Sequence, residues 1–180
     1  MRHALIFLLL LLHGCVFHDF PTYWDAADSK FIEANYAAVD RLVESPSEPL
    51  DTRMPMVVAT LVSVDDLNAS SRLGRAISEQ LGSRLVSMGI PVTELKLRGT
   101  IFVKQSQGEL LLSREVQSIA RSHEAQAVLV GTYSAARNFV YVNVKIVNVH
   151  NNVIIAAHDY VLPLNSEIKA LLTANARGAE

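Results

Sequence analysis

Cysteine and tryptophan are nearly missing from this chain of 180 residues, which has one of each, and only 19% of its residues are charged. With a single cysteine the chain cannot form an internal disulfide, so a hydrophobic core has to stabilise the fold. The 16 basic and 18 acidic residues leave a formal net charge of −2. Because this balance is close to neutral, the composition gives no reason to expect nucleic acid or an anionic membrane surface as a partner.

The longest apolar run of the sequence lies at its N-terminus. Arg2 supplies a positive charge, and the apolar residues Ala4 to Leu12 follow almost directly. This run is too short to cross a hydrocarbon core of about 30 Å as a helix. A positive end followed by a short apolar segment is typical of a secretory signal peptide, which is removed and takes no part in the fold.

The single cysteine stands at the end of this leader, directly after the small residue Gly14. That arrangement resembles the lipobox of bacterial lipoproteins. The resemblance implies that the leader is cleaved before Cys15 and that this residue carries acyl chains such as palmitate, since thiols are strong nucleophiles. It also implies the periplasmic side of an outer membrane, because Val16 stands where an aspartate would favour the inner membrane. The alternative is a plain signal peptide followed by an incidental cysteine.

The chain divides into a leader of residues 1–14 and three further segments. Residues 15–50 are predicted to be a lipid-anchored extension, 51–165 an α/β domain and 166–180 a C-terminal helix with a tail. In the extension, apolar residues at helical spacing predict one amphipathic helix: Ala27, Phe31, Ala34, Ala38 and Leu42. Pro46 prevents its continuation. We expect this helix to act as a spacer that also docks on the domain.

The first half of the domain alternates between strand and helix patterns. Met56 to Val64 is nearly free of charge, which predicts a strand buried on both faces. Ser70 or Ser71 can cap the helix that follows, and Gly89 suits the left-handed position after its end. Val92 to Leu97 then predicts a short strand. The apolar face of the helix consists of Leu73, Ile77, Leu81, Leu85 and Met88.

In the second half of the domain, Ser113 caps another predicted helix and three strand patterns follow it. The strands are Ala127 to Tyr133, the alternating segment Val140 to Ile146, and Val153 to Leu162, with a tight turn at Asn151-Asn152. The order is β-α-β-α-β-β-β, preceded by the N-terminal helix. It predicts a single α/β domain with a mixed sheet whose second half is an antiparallel meander.

The segment from Arg98 to Leu112 is less regular, and we expect Ile101, Phe102 and Val103 to be exposed within it. Two interpretations stay open for these three residues. They form a contact for a partner protein, or they belong to a third short strand or lid over the core. We favour the second interpretation.

The motifs of common enzymes and metal sites are absent. The sequence has no Gly-rich phosphate loop, no Gly-x-Ser-x-Gly turn and no His-Glu-x-x-His pair. His158 and Asp159 are neighbours on a predicted strand, so they point to opposite faces and cannot form a dyad. We therefore predict no catalytic residue, no metal and no cofactor, and we expect that the protein is not an enzyme. Histidines without ligand spacing are His18, His123, His150 and His158.

Two sets of charged residues have a functional interpretation beside the structural one. Asp65 and Asp66 follow directly on a predicted strand, the usual place for active sites in α/β proteins. An envelope hydrolase would use these two carboxylates, but a solvated turn before a helix cap is the interpretation that we favour. The first predicted helix of the domain carries three arginines and a glutamate: Arg72, Arg75, Arg84 and Glu79. This mixture of charges predicts a solvated face rather than an anion site.

Four segments together resemble the FlgO family of bacterial flagellar lipoproteins. They are Pro55 to Leu61, Leu67 to Leu81, Gly108 to Val116 and Ala127 to Tyr133, in the family's order and spacing. The resemblance implies a fold similar to the N-terminal domain of TolB and to CsgG. It also implies a non-enzymatic, periplasm-facing outer-membrane lipoprotein that supports flagellar assembly, flagellar stability and motility.

Of the functional residues, the resemblance transfers only Cys15, as the lipidation site. The implied partners are the outer membrane, through the lipid, and flagellar basal-body or other envelope proteins. The alternative function is a general envelope assembly or secretion-complex lipoprotein. The alternative of another class is the envelope hydrolase with Asp65 and Asp66.

Overall fold

The computed structural model describes residues 27–67, 71–94, 102–104 and 110–173, and gives only the backbone for 27–29, 94, 102–104, 110–112 and 115. The chain separates into two compact units, Met1–Lys30 and Phe31–Glu180. Of the first unit only residues 27–30 are described, and they are helical.

The described elements alternate much as the sequence predicts. In chain order they are helix α1 (Ala27–Glu44), strands β1 (Met56–Val58) and β2 (Val62–Ser63), helix α2 (Arg72–Ser87), strands β3 (Val92–Glu94), β4 (Phe102–Lys104) and β5 (Leu110–Leu112), helix α3 (Arg114–Ser122), strands β6 (Ala127–Ala135), β7 (Phe139–Asn148) and β8 (Ile154–Pro163), and helix α4 (Ser166–Thr173). Within the described residues, no helix is both long and apolar enough to cross a membrane.

The main sheet is mixed and has the strand order β3-β1-β6-β7-β8, with β2 also beside β6. Strands β1 and β3 are parallel, as are β1 and β6 and also β2 and β6. The pairs β6–β7 and β7–β8 are antiparallel and joined by short turns. The predicted α/β class, the mixed sheet and the antiparallel meander of its second half are therefore confirmed.

Two hydrophobic clusters occupy the two faces of this sheet. The larger cluster joins buried residues of α1, α2 and α4 to one face, including Leu42, Leu81 and Ile168. The smaller cluster joins α3 to the other face through Val116 and Ala120. Because both faces of β1 and of the first half of β6 are buried, these strands are nearly continuous runs of apolar residues.

The predicted strand from Met56 to Val64 is interrupted, which corrects the sequence analysis. The backbone N–H of Leu61 donates to the side-chain oxygen of Ser78, at 2.9 Å, instead of to a neighbouring strand. The same hydroxyl lies 3.2 Å from the carbonyl oxygen of Ala59 and 2.9 Å from that of Gly74. A side chain of α2 thus satisfies the backbone where β1 and β2 separate, and no periodicity in the sequence reports such a contact.

Helix α2 begins and ends as predicted. Ser71 is the N-cap, and its oxygen accepts a hydrogen bond from the N–H of Gly74 at 3.0 Å. Gly89 has a φ of 81°, and the N–H of Ile90 donates to the carbonyl of Leu85 at 3.1 Å, as in a Schellman motif. Met88 was expected on the buried face, but it is the C-cap residue and is 38% exposed.

Gly74 allows α2 to lie close to the backbone of Leu61, between β1 and β2. A Cβ atom at this position would stand 2.2 Å from the carbonyl oxygen of Leu61. Any larger residue would push the helix away from the sheet, because that contact is with the backbone. The hydroxyl of Tyr133 donates to Ser71 at 2.7 Å and fixes the same end of the helix.

Helix α1 packs on the sheet and on α2 through polar as well as apolar side chains. The side chain of Asn35 is fully buried, donating to Gln80 of α2 and accepting from the hydroxyl of Tyr160 in β8. Asp40 forms an ion pair with Arg84 of α2, with N–O distances of 2.7 and 3.0 Å. Hydrogen bonds of Asn35 therefore join α1 to both α2 and β8, and the ion pair of Asp40 joins α1 to α2 a second time.

The irregular segment from Arg98 to Leu112 contains two short strands that pair antiparallel, with Phe102 opposite Leu112. This agrees with the interpretation of a short strand. Residues 95–101 and 105–109 lie outside the described part of the chain, as do the side chains of 102–104. The predicted exposure of Ile101, Phe102 and Val103 therefore stays untested.

Candidate functional site

The residue predicted to carry the lipid, Cys15, lies outside the described residues, so its lipidation remains a prediction. His18 also lies outside the described residues. What the structure describes is the folded part that such an anchor would hold.

Asp65 and Asp66 follow β2 after one intervening residue, Val64, and are both exposed. The backbone N–H of Asp65 donates to the hydroxyl oxygen of Ser63 at 3.2 Å, and that hydroxyl lies 3.5 Å from the Asp65 carboxylate. This is a local turn in which the side chain and the backbone satisfy each other. The nearby groove described below is lined by Val64 but by neither aspartate. The geometry therefore agrees with the solvated turn.

His158 and Asp159 point to opposite faces of β8, as predicted from the strand pattern. The ring of His158 stacks on Tyr160 with ring centroids 6.2 Å apart. Asp159 instead accepts a hydrogen bond from the side-chain nitrogen of Asn143. In the part of the chain that the structure describes, no group of three or more His, Cys, Asp or Glu side chains could hold a metal ion.

Arg84 does not belong to a solvated face of α2, which corrects the sequence analysis for this residue. Its guanidinium binds the carboxylate of Asp40 and lies 5.7 Å from the centre of the Tyr36 ring. The hydrogen bond to Asp40 raises the pKa of Arg84, against the opposing effect of desolvation. The arginine is thus used to dock α1 on α2. Arg72 and Arg75 are exposed, as expected.

The surface that the sequence analysis missed lies on the face of the sheet that carries α3. Helix α3 packs over the first half of β6 on this face, and beyond the helix side chains of β7 and β8 are exposed on it. We name this exposed part the open sheet face. Its large apolar side chains are considerably exposed: Val64 43%, Phe139 43%, Tyr141 54% and Val161 48%.

A groove of about 530 Å³ runs along the open sheet face between β6, β7 and β8. Strand register sets its lining, because Tyr141 stands opposite Val161 and Asn143 stands opposite Asp159. On β6, Thr132 stands opposite Asn143. The groove therefore has a polar centre, where Asn143 holds the Asp159 carboxylate, and apolar walls on the side of Tyr141.

The sequence contained part of this arrangement. The alternation in β7 predicts that Tyr141, Asn143 and Lys145 face away from the buried side, and the structure confirms that. In β8 the exposed positions include Val161 as well as Asp159, so apolar residues do not alternate with polar ones. The sequence pattern of this strand therefore does not indicate which of its faces is exposed. Only the strand register brings the exposed residues of both strands together.

The chain was compared with protein families, with curated proteins and with solved structures. The sequence matches the family described as FlgO protein over residues 36–167. No curated protein matches it in a direct sequence comparison. Among solved structures, it is similar to the LpoB C-terminal domain from Escherichia coli, with 15% identity and a TM-score of 0.53 over 73% of this chain and 97% of that one.

The LpoB C-terminal domain from Salmonella enterica is also similar, with 18% identity and a TM-score of 0.50 over 72% of this chain and 96% of that domain. Such low identities show a shared fold and nothing more. The common fold is the α/β arrangement built above from the strand order and the helix packing.

Proposed function

Because this chain belongs to the FlgO family, we propose that it is a non-enzymatic outer-membrane lipoprotein that faces the periplasm and supports flagellar assembly or stability. Motility would depend on it through contacts with flagellar basal-body or other envelope proteins. The observation that carries the proposal is the family match, which spans residues 36–167 and so includes the second half of α1, all strands of the main sheet and the start of α4.

The leader supports the anchoring part of this proposal. A lipid on Cys15 would stand twelve residues before Ala27, the first residue of α1 that the structure describes. Two or more acyl chains give stable anchoring, and confinement to a membrane raises the effective concentration of a domain near its partners. In this mechanism the domain acts by being held in place and by binding, without a chemical step.

A general envelope assembly or secretion-complex lipoprotein remains the second candidate, because the LpoB-like fold is not restricted to one assembly. The envelope hydrolase is a weaker candidate. Asp65 forms a local turn with Ser63, and neither Asp65 nor Asp66 lines the groove beside them. A hydrolase needs its carboxylates in a cleft with convergent polar groups.

The test uses three strains: a clean deletion, Cys15→Ala, which removes the lipid site, and Val16→Asp, which keeps the lipid but favours the inner membrane. Swimming, the number of flagella and the membrane fraction that holds the protein are measured in each. We expect the deletion and Cys15→Ala to lose motility, with the Cys15→Ala protein absent from the outer membrane. Val16→Asp should shift the protein to the inner membrane and impair motility too.

Normal swimming and normal flagella in the deletion strain would refute the flagellar part and favour the general envelope function. Motility that persists in Cys15→Ala but not in the deletion would refute the need for the lipid anchor while keeping the flagellar function. A Cys15→Ala protein that stays in the outer membrane would refute the anchor itself. Each part of the proposal can therefore fail separately.

A further inference from the structure

Strand β8 is an edge of the main sheet, and the alternation of its hydrogen bonds shows which backbone groups point outward. The N–H of Leu164 donates to the carbonyl of Asn138 at 2.9 Å, so the even-numbered residues of β8 face β7. The carbonyl of Ile155 instead accepts from the N–H of Ser47 at 2.8 Å on the outer side. The backbone groups of Ala157, Asp159 and Val161 therefore point away from the sheet.

Between Ile155 and Pro163 this outer edge is unpaired among the described residues. The N–H of Ser47 donates to the carbonyl of Ile155 at one end, and the N–H of Asn165 donates to the carbonyl of Pro163 at 2.9 Å at the other. Pro163 follows the same alternation. Its missing N–H would point outward, so the proline removes no hydrogen bond from the sheet. Ala157, Asp159 and Val161 present three N–H and three C=O groups in a row, which is a template for one more strand.

The same residues belong to the open sheet face. The side chains of Asp159 and Val161 line the groove beside Tyr141 and Asn143. A strand added to the edge would place every second side chain on this face, next to Asp159 and Val161. Edge and groove are thus one continuous surface, in which the backbone supplies hydrogen bonds and the groove supplies selectivity.

The charge of the groove favours one kind of side chain. The described residues form no ion pair with Asp159, whose carboxylate accepts from Asn143. Along the strand on one side of Asp159 lie the apolar side chains of Val161 and Tyr141, which are 48% and 54% exposed. On the other side of Asp159 lies Ala157, which stands opposite Lys145 of β7. A second copy of this strand paired with Asp159 at its centre would set two carboxylates opposite each other, which is unfavourable.

We propose that the outer edge of β8 from Ala157 to Val161, together with the open sheet face, binds an extended segment of a partner protein. That segment carries a basic residue opposite Asp159 and apolar residues two positions to either side of it. The inference rests on the proposed function in so far as the protein acts by binding a partner, and it states where and how.

The test uses two labelled peptides, Thr-Val-Thr-Lys-Thr-Val-Thr and the same peptide with glutamate in place of lysine. Fluorescence anisotropy measures their binding to the full-length chain in detergent, with Cys15→Ser to exclude disulfide coupling. We expect the lysine peptide to bind at least about tenfold more tightly than the glutamate peptide. Asp159→Lys should reverse this preference.

Val161→Pro removes an outward N–H without removing a bond to β7, and it should abolish binding of the lysine peptide. Val161→Thr is the matched control, since it keeps the N–H and the branched side chain and should retain binding. Circular dichroism checks that both variants are folded. Should Val161→Pro not fold, the charge reversal in Asp159→Lys still decides the question.

Three results would overturn the inference: no saturation of either peptide up to about 1 mM, equal binding of both peptides to the parent chain and to Asp159→Lys, or self-association that Val161→Pro removes. The last would assign the edge to a second copy. If the deletion strain does not swim and no peptide binds, the proposed function stands and this surface is wrong. If the peptide binds and the deletion strain swims, the surface stands and the flagellar function is wrong.

Discussion

The hydroxyl of Tyr160 donates a hydrogen bond to the side-chain oxygen of Asn35, 125 residues earlier in the chain. The amide nitrogen of Asn35 donates in turn to Gln80. Asn35 is completely buried, so neither of its polar atoms can turn to water instead. One amide therefore connects α1, α2 and β8 through two hydrogen bonds.

Removing the Tyr160 hydroxyl should destabilise the protein. Tyr160→Phe leaves the buried oxygen of Asn35 without a donor, which should lower the free energy of unfolding by about 1–3 kcal/mol. Urea denaturation measures this change. Tyr141→Phe is the control, because Tyr141 is 54% exposed and an exposed substitution should change the stability by less than about 0.5 kcal/mol. Equal effects of the two variants would contradict the network.

Alkaline pH should destabilise the protein through the same residue. Burial raises the pKa of Tyr160 above the value of 10.0 that an exposed tyrosine has. The unfolded chain loses this proton near pH 10 and the folded protein holds it, so stability is complete below pH 10 and falls as the pH rises above it. Unfolding at pH 8 and pH 11 should show a larger loss for the parent chain than for Tyr160→Phe. Parallel losses would argue against the raised pKa.

Two glycines of helix α2 should respond in opposite directions to alanine. At Gly74 the added Cβ would stand 2.2 Å from the backbone oxygen of Leu61, whereas at Gly82 the nearest atoms are side-chain methyls at 3.8 and 3.9 Å. Gly74→Ala should cost about 1–3 kcal/mol or more through overpacking. Gly82→Ala should gain up to about 1 kcal/mol from helix propensity. Thermal unfolding compares both, and a stabilised Gly74→Ala protein would show that α2 can shift away from the sheet.

Ser78 should be costly to replace although it lies on a helix. Ser78→Ala removes the acceptor of the Leu61 N–H at the break between β1 and β2, leaving a buried donor unsatisfied at a cost of about 1–3 kcal/mol. Ser83→Ala is a matched control on the same helix, because the exposed Ser83 hydroxyl bonds only to a carbonyl of its own helix. A hydrogen-exchange measurement should show faster exchange near Leu61 in Ser78→Ala alone. Unchanged exchange there would mean that water replaces the hydroxyl.

The elements were predictable because their signals are local. Ser71, Gly89 and Ser113 mark helix ends through contacts within a few residues, and each is found where the pattern places it. The alternation in β7 likewise follows from one strand with one buried face. Such signals depend on neighbouring residues, so the sequence alone contains them.

The contacts between elements were not predictable in the same way. Arg84 looks like a surface arginine of α2 until α1 brings Asp40 to it, and Ser78 looks like a small helical residue until Leu61 turns toward it. The groove is similar, since it depends on the register that sets Asn143 opposite Asp159. Each of these requires knowledge of a partner that is distant in the sequence.

The position of β6 in the sheet has a consequence for the order in which the chain folds. Met56 of β1 pairs with Ala127 of β6, so the parallel half of the sheet closes a long loop, while β6, β7 and β8 pair through short turns. Loop closure of this kind slows folding. A chain that ends at Gln126 has β1 and β3 but no central strand to join them to a larger sheet. Its amides should exchange like those of an unfolded chain, so a growing polypeptide would gain its sheet only while the last third of its length is made.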